Sequence, residues 1–213
     1  MAILLLDTTI EMQSALGVAK TITGISKAAE AVVTGTHDFV AGDLVVITGV
    51  VGMTEINDRV VRVKSVNTTV DFTCEGLDST GWTTYVSGGT AKEVTTLVSF
   101  DNATSFSFPE PAPTRLDVTT VHDTTKKEQF GLDEAPQISI PMLADPLATH
   151  VTEIREASLA KTTRAFRVTL QTGEVLIMNA YVAGGRGVDG GVGAVATAAC
   201  NLTLAADEQW FAS

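Results

Sequence analysis

Basic residues are scarce in this 213-residue chain: 14 Lys and Arg stand against 25 Asp and Glu, a net charge of −11. Holding nucleic acid by its phosphates takes clustered cations, and no dense basic run is present, so sequence-specific nucleic-acid binding is excluded as the main task. Cysteine is almost absent. Cys74 and Cys200 are too few for a disulfide scaffold and have no metal-ligand spacing, so a reduced, cytoplasmic setting is expected. The three histidines, His37, His122 and His150, lie far apart and form no paired metal motif. Long apolar runs are missing too. Ile3–Leu6 is stopped at once by Asp7, and nothing reaches the roughly 18 residues of a membrane-spanning helix or resembles a secretory signal.

The residues that are present point to a β-rich globular protein. Apolar residues make up 45% and charged residues 18%, a balance that excludes a disordered chain. The length permits one domain or two small ones, with a sizeable core. Eighteen glycines, with abundant Thr and Val, favour strands and turns.

Along the chain, residues 1 to about 18 read as a strand and a connector. Residues 31–93 read as four or five short strands: the run Leu44–Ile47, the spaced Val61, Val63 and Val66, and the alternating stretch Val70–Cys74. A second β-rich body begins at Val94. Asp145-Pro146 is an N-cap followed by a favourable first helical residue, and Leu147, Val151, Ile154 and Ser158 recur at helical spacing, so one amphipathic helix is expected over about 145–160. A hairpin through Thr172-Gly173, a glycine-rich loop over 183–193 and a last strand of small residues complete the reading.

Motifs of catalysis are weak. Gly185–Gly190 spells G-x-G-x-x-G, but the segment after it is too short for a βαβ unit, so a flexible loop is the better reading. The acidic pairs Asp7 with Glu11 and Asp133-Glu134 lack a surrounding cleft pattern. Cys74 has no cationic neighbour to activate it. No catalytic, cofactor-binding or metal-binding residues are expected.

Two stretches resemble phage families. His37-Asp38-Phe39, Gly42-Asp43, the run Ile47–Asn57 and Tyr85–Gly89 look like a small β-module of tailed-phage structural proteins, a module likened to a half-domain of ubiquitin-activating enzymes. The enzymatic role of those proteins does not carry over, because no adenylate-forming domain is present. The N-terminal strand and residues 94–213 resemble the major tail tube protein of long-tailed, siphovirus-type phages. The matching pieces are Leu116–Thr119, Gly131-Leu132, the helix from Asp145, Ala165–Val168, Thr172-Gly173 and Ala180–Val182.

The resemblance implies a tail-tube β-sandwich domain, 1–27 and 94–213, with one flanking helix and an inserted, barrel-like decoration module at 28–93. It implies a homo-hexameric ring stacked into a virion tube that is assembled in the host cytoplasm. Its partners would be further copies of itself, tail-tip and terminator proteins, the tape-measure protein and then DNA passing through the lumen without specific binding. No cofactor and no membrane are implied. Sixteen acids and eight bases outside 20–94 leave −8 on the inferred body; nine acids and six bases inside leave −3. An acidic lumen would keep the duplex sliding.

The polar stretch 119–136 separates two strands and is expected to be a loop or hairpin, mobile in the monomer, that orders against a neighbouring ring. Its expected contact residues are Thr120, His122, Asp123, Lys126, Lys127, Glu128, Phe130, Asp133 and Glu134. Three rival readings stand beside this one: a single-ring terminator or tail-tip subunit, a host-surface or glycan-binding module using Trp82 and Tyr85, and an enzyme.

Overall fold

Every strand pairing among the described residues is antiparallel, and almost all strands belong to one sheet. The computed structural model describes residues 7–67, 69–109, 113–133 and 136–212. The strands are β1 (Thr9–Leu16), β2 (Lys20–Thr21), β3 (Gly24–Ile25), β4 (Val32–Thr34), β5 (Leu44–Val51), β6 (Val60–Asn67), β7 (Asp71–Cys74), β8 (Ser87–Ser99), β9 (Pro113–Asp117), β10 (Glu128–Asp133), β11 (Gln137–Leu143), β12 (Thr163–Thr169), β13 (Val175–Gly184), β14 (Thr197–Leu204) and β15 (Gln209–Phe211). The one α-helix among the described residues, α1, spans Thr149–Ala160. The fold is mainly β, with a large antiparallel sheet and a single helix.

The main sheet runs β11-β14-β13-β12-β1-β8-β5-β6-β7-β4-β3, with β15 added to β13 and β2 to β8. β8 is the corner. Its first half pairs with β5, from Ser87↔Val51 to Glu93↔Val45, and its second half pairs with β1, from Val94↔Leu16 to Ser99↔Glu11. A strand that serves two layers lets a sheet fold onto itself. The result is a seam in which Leu44, Val46 and Val60 pack on Ala165, Ile177 and Phe211.

That seam accounts for two unbroken apolar runs. In β5, Leu44 and Val46 face the seam, whereas Val45 and Ile47 face the core of the 31–77 unit. In β13, Leu176 and Met178 face the body core and Ile177 faces the seam. Strands buried on both faces lose the alternating pattern. Asn179, also buried, donates to the Asp58 carbonyl at 2.8 Å across the seam.

The body core gathers Met12, Phe100, Ile138, Ile140, Phe166, Val168 and Met178 under α1, which presents His150, Val151, Ile154 and Ala157. Its helix starts later than expected. Asp145 accepts from Leu147 N at 3.3 Å and from Ala148 N through its carbonyl at 3.1 Å, closing a turn ahead of the helix rather than capping it. Leu147 is consequently 92% exposed instead of lying on the buried stripe.

Residues ahead of the expected boundary at 28 also pack with the inserted unit. Ile22 and Ile25 belong to its core, because β3 must pair with β4 to close that side. Within the unit, Asn57 reads the Val50 backbone twice, accepting from N at 2.8 Å and donating to O at 2.9 Å. Gly52 adopts φ +93°, and a Cβ there would lie 2.3 Å from the Thr84 carbonyl oxygen, so only glycine fits.

Candidate assembly site

β9 and β10 form a sheet of their own, a two-stranded hairpin detached from the main sheet. The chain enters it after running beside β11, where Ala103 bridges Met142 and Ser107 bridges Ser139, and it returns directly into β11. Pro141 fits this edge. Its carbonyl accepts from Thr104 N at 2.8 Å and Thr104 Oγ1 at 3.0 Å, so the missing N–H faces away from the ladder with β14.

The pairing places Glu128 opposite Asp117, Gln129 opposite Leu116 and Phe130 opposite Arg115. Most of the expected contact residues are brought together here, and their charges are answered within the hairpin. Lys126 donates to Glu128 at 2.6 Å, Arg115 reaches Glu128 at 3.4 Å, and Lys127 bonds Asp123. Thr120 donates to Asp123 from both N and Oγ1 at 2.9 Å, and Asp123 N returns to the Thr120 carbonyl at 3.0 Å. Lys127 first, and Thr120 after it, hold the Asp123 carboxyl below its ordinary range. His122 is exposed in the turn. Phe130 lies 6.0 Å beneath Arg115 and is 68% exposed. The Asp133 backbone pairs with Pro113, and Glu134 lies outside the described residues.

With the cations engaged locally, apolar side chains are what the hairpin offers. Leu116, Val118, Val121 (98% exposed), Phe130 and Leu132 (87% exposed) all project into solvent. Burying each is worth about 2 kcal/mol, and an isolated two-stranded hairpin is marginal in water. Leu116, Val118, Val121 and Leu132 were outside the set expected from sequence. The signal was there, in two short apolar-bearing strands flanking a Thr-Lys turn, but the polar residues drew the reading to charge.

The remaining candidates gather no chemistry. Gly185–Gly190 lies in the link between antiparallel β13 and β14, which is not a βαβ unit. Glu11 pairs with Arg167 at 2.7 Å. His37 sits between Phe39 and Phe72, and His150 stacks on Phe100 at 5.3 Å. No group of three His, Cys, Asp or Glu fit for a metal occurs among the described residues. Tyr85 uses its hydroxyl on the Ile22 and Gly88 carbonyls, at 3.1 and 3.0 Å, and both Tyr85 and Trp82 are half-buried against the unit's core.

Residues 29–95 match the family model of the ubiquitin-activating enzyme E1 FCCH domain. That domain is a non-catalytic part of those enzymes, and the match covers under a third of the chain. It falls on the inserted β-unit and leaves α1 and the hairpin outside. No curated protein matches the chain.

Proposed function

We propose that this chain is a structural subunit that assembles with copies of itself into stacked, hexameric rings forming the tail tube of a long-tailed phage. The FCCH-like unit would decorate the tube, and the chain would have no catalytic role. The observation that carries the reading is the detached hairpin with its five exposed apolar side chains, which no other described element of the same copy covers. The antiparallel sheet beneath one helix accords with the tube-subunit resemblance, and a net charge of −11 suits a wall past which DNA slides. Tail-tip, terminator and tape-measure proteins would be its partners in the virion.

Negative-stain electron microscopy of concentrated protein, with mass photometry of the same sample, tests this reading. Tubes or stacked rings are expected. A closed ring that never stacks would transfer the reading to a terminator or tail-tip subunit.

A further inference from the structure

Two arginines without an ion-pair partner meet at one pocket. Arg59, Arg62, Arg115 and Arg167 each pair with a carboxylate, whereas Arg155 and Arg186 have no such partner among the described residues. Arg155 belongs to α1 and is half-buried; Arg186 is exposed on the loop between β13 and β14. Both line a cavity of about 90 Å³ whose apolar walls include Met142, Val151, Val188 and Ala198. A chain of net charge −11 has carboxylates to spare, yet Asp145 is the one acid on this wall. The Asp145 carboxylate accepts from Leu147 N at 3.3 Å and pairs with neither arginine.

The cavity is preformed. Gly185 has φ +74°, and a Cβ there would lie 3.0 Å from Arg155 N and 3.1 Å from the Val151 carbonyl oxygen, so a side chain would crowd the helix as well as strain the backbone. Arg155 Nε donates to the Gly185 carbonyl at 3.1 Å, which ties the guanidinium to the loop and leaves its two Nη groups without a partner among the described residues. A guanidinium held in this way is already oriented, and its paired N–H groups take a carboxylate through two parallel bonds. The apolar walls define the rest of the ligand. A cavity of about 150 Å³ holds benzene, so this one suits an aliphatic group of about four carbons.

We propose that this pocket binds a short, branched aliphatic carboxylate, its carboxyl group on Arg155 and Arg186 and its alkyl tail against Val151, Val188 and Ala198. A free acid and the C-terminal residue of a peptide ending in leucine share this chemistry. The site is independent of the assembly reading, because none of these residues belongs to the hairpin.

Saturation-transfer difference NMR of the full chain with isovalerate tests it, and the method serves monomer and large assembly alike. Isovalerate, a probe small enough to bind in the millimolar range, should show saturation at its methyl groups. Isovaleramide, which lacks the charge, and acetate, which lacks the tail, should each bind about tenfold more weakly. Arg186→Gln, a change on an exposed loop, should weaken isovalerate by about tenfold, and Ala198→Leu, which fills the cavity, should abolish the signal. Absence of saturation, binding that the amide matches, or binding that survives both variants would overturn the proposal. A leucine-terminated peptide with a free carboxyl, set against its amidated form, separates the sources. Displacement of isovalerate by the free-carboxyl peptide alone would show that the pocket accepts a chain terminus, displacement by neither would confine it to the free acid, and displacement by both would overturn carboxylate recognition.

Discussion

The guanidinium of Arg62 lies 4.0 Å from the ring centroid of Phe211, stacking a residue of the inserted unit on the strand β15 of the body. Arg62 is held in place by Glu75, which accepts at 2.5 and 2.7 Å. Phe211 is buried in the seam beside Leu44, Val46 and Ile177. Phe211→Ala should therefore cost about 3 kcal/mol by urea denaturation, through the cavity it leaves. Combined with Arg62→Ala, the loss should be less than the sum of the two single losses.

The same seam decides what removal of the inserted unit would do. Removing 28–92 takes away Leu44, Val46 and Val60 and strips their cover from Ala165, Ile177 and Phe211. It also takes the half of β8 that pairs with β5. The excised chain should bind a hydrophobic dye and elute as aggregate in size-exclusion chromatography. A soluble, cooperatively folding excised body would contradict the seam account.

Burial pushes the thiols of Cys74 and Cys200 up to about 12. Only the thiolate attacks alkylating reagents, and an ordinary cysteine has a pKa near 8.5. Iodoacetamide at mildly alkaline pH should thus modify neither residue in the folded protein and both in concentrated guanidinium, as read by intact mass.

His150 introduces an acid sensitivity. Its desolvation at the helix–sheet interface lowers its pKa, with Asp101 and Asp145 opposing weakly. The unfolded chain takes up a proton near pH 6.5, above the pH at which the folded chain does. Below that point the unfolded state binds more protons, so stability falls as pH drops. His150→Phe should lose less stability than the parent between about pH 7.5 and pH 5, compared by urea midpoints. Equal losses would remove His150 from the account.

How legible each element was depended on how local its cause is. The alternation of Val70–Cys74 and the β-rich character could be read directly, because a half-buried strand writes its period into its own residues. The stripe Val151–Ile154 marked α1, but its start was misplaced, since Asp145 serves a turn as well as it serves a cap. β15 was not anticipated as a strand. Its burial depends on β13, Leu44 and Val60, which lie far away in sequence. The hairpin's apolar residues were read past for a similar reason. Exposed Leu116 and Leu132 look like ordinary strand positions until the fold shows that no other described element covers them.

The hairpin's hydrogen-bonded pairing lies within itself, so replacing 114–132 by a short glycine linker should leave the body's melting temperature nearly unchanged. This is the most direct test of the central claim. Sedimentation velocity of the full chain and the hairpin-deleted chain, side by side over a range of concentrations, is the measurement. The account predicts concentration-dependent growth into large species for the full chain and a folded monomer or isolated ring for the deletion. Identical growth of both chains would contradict it.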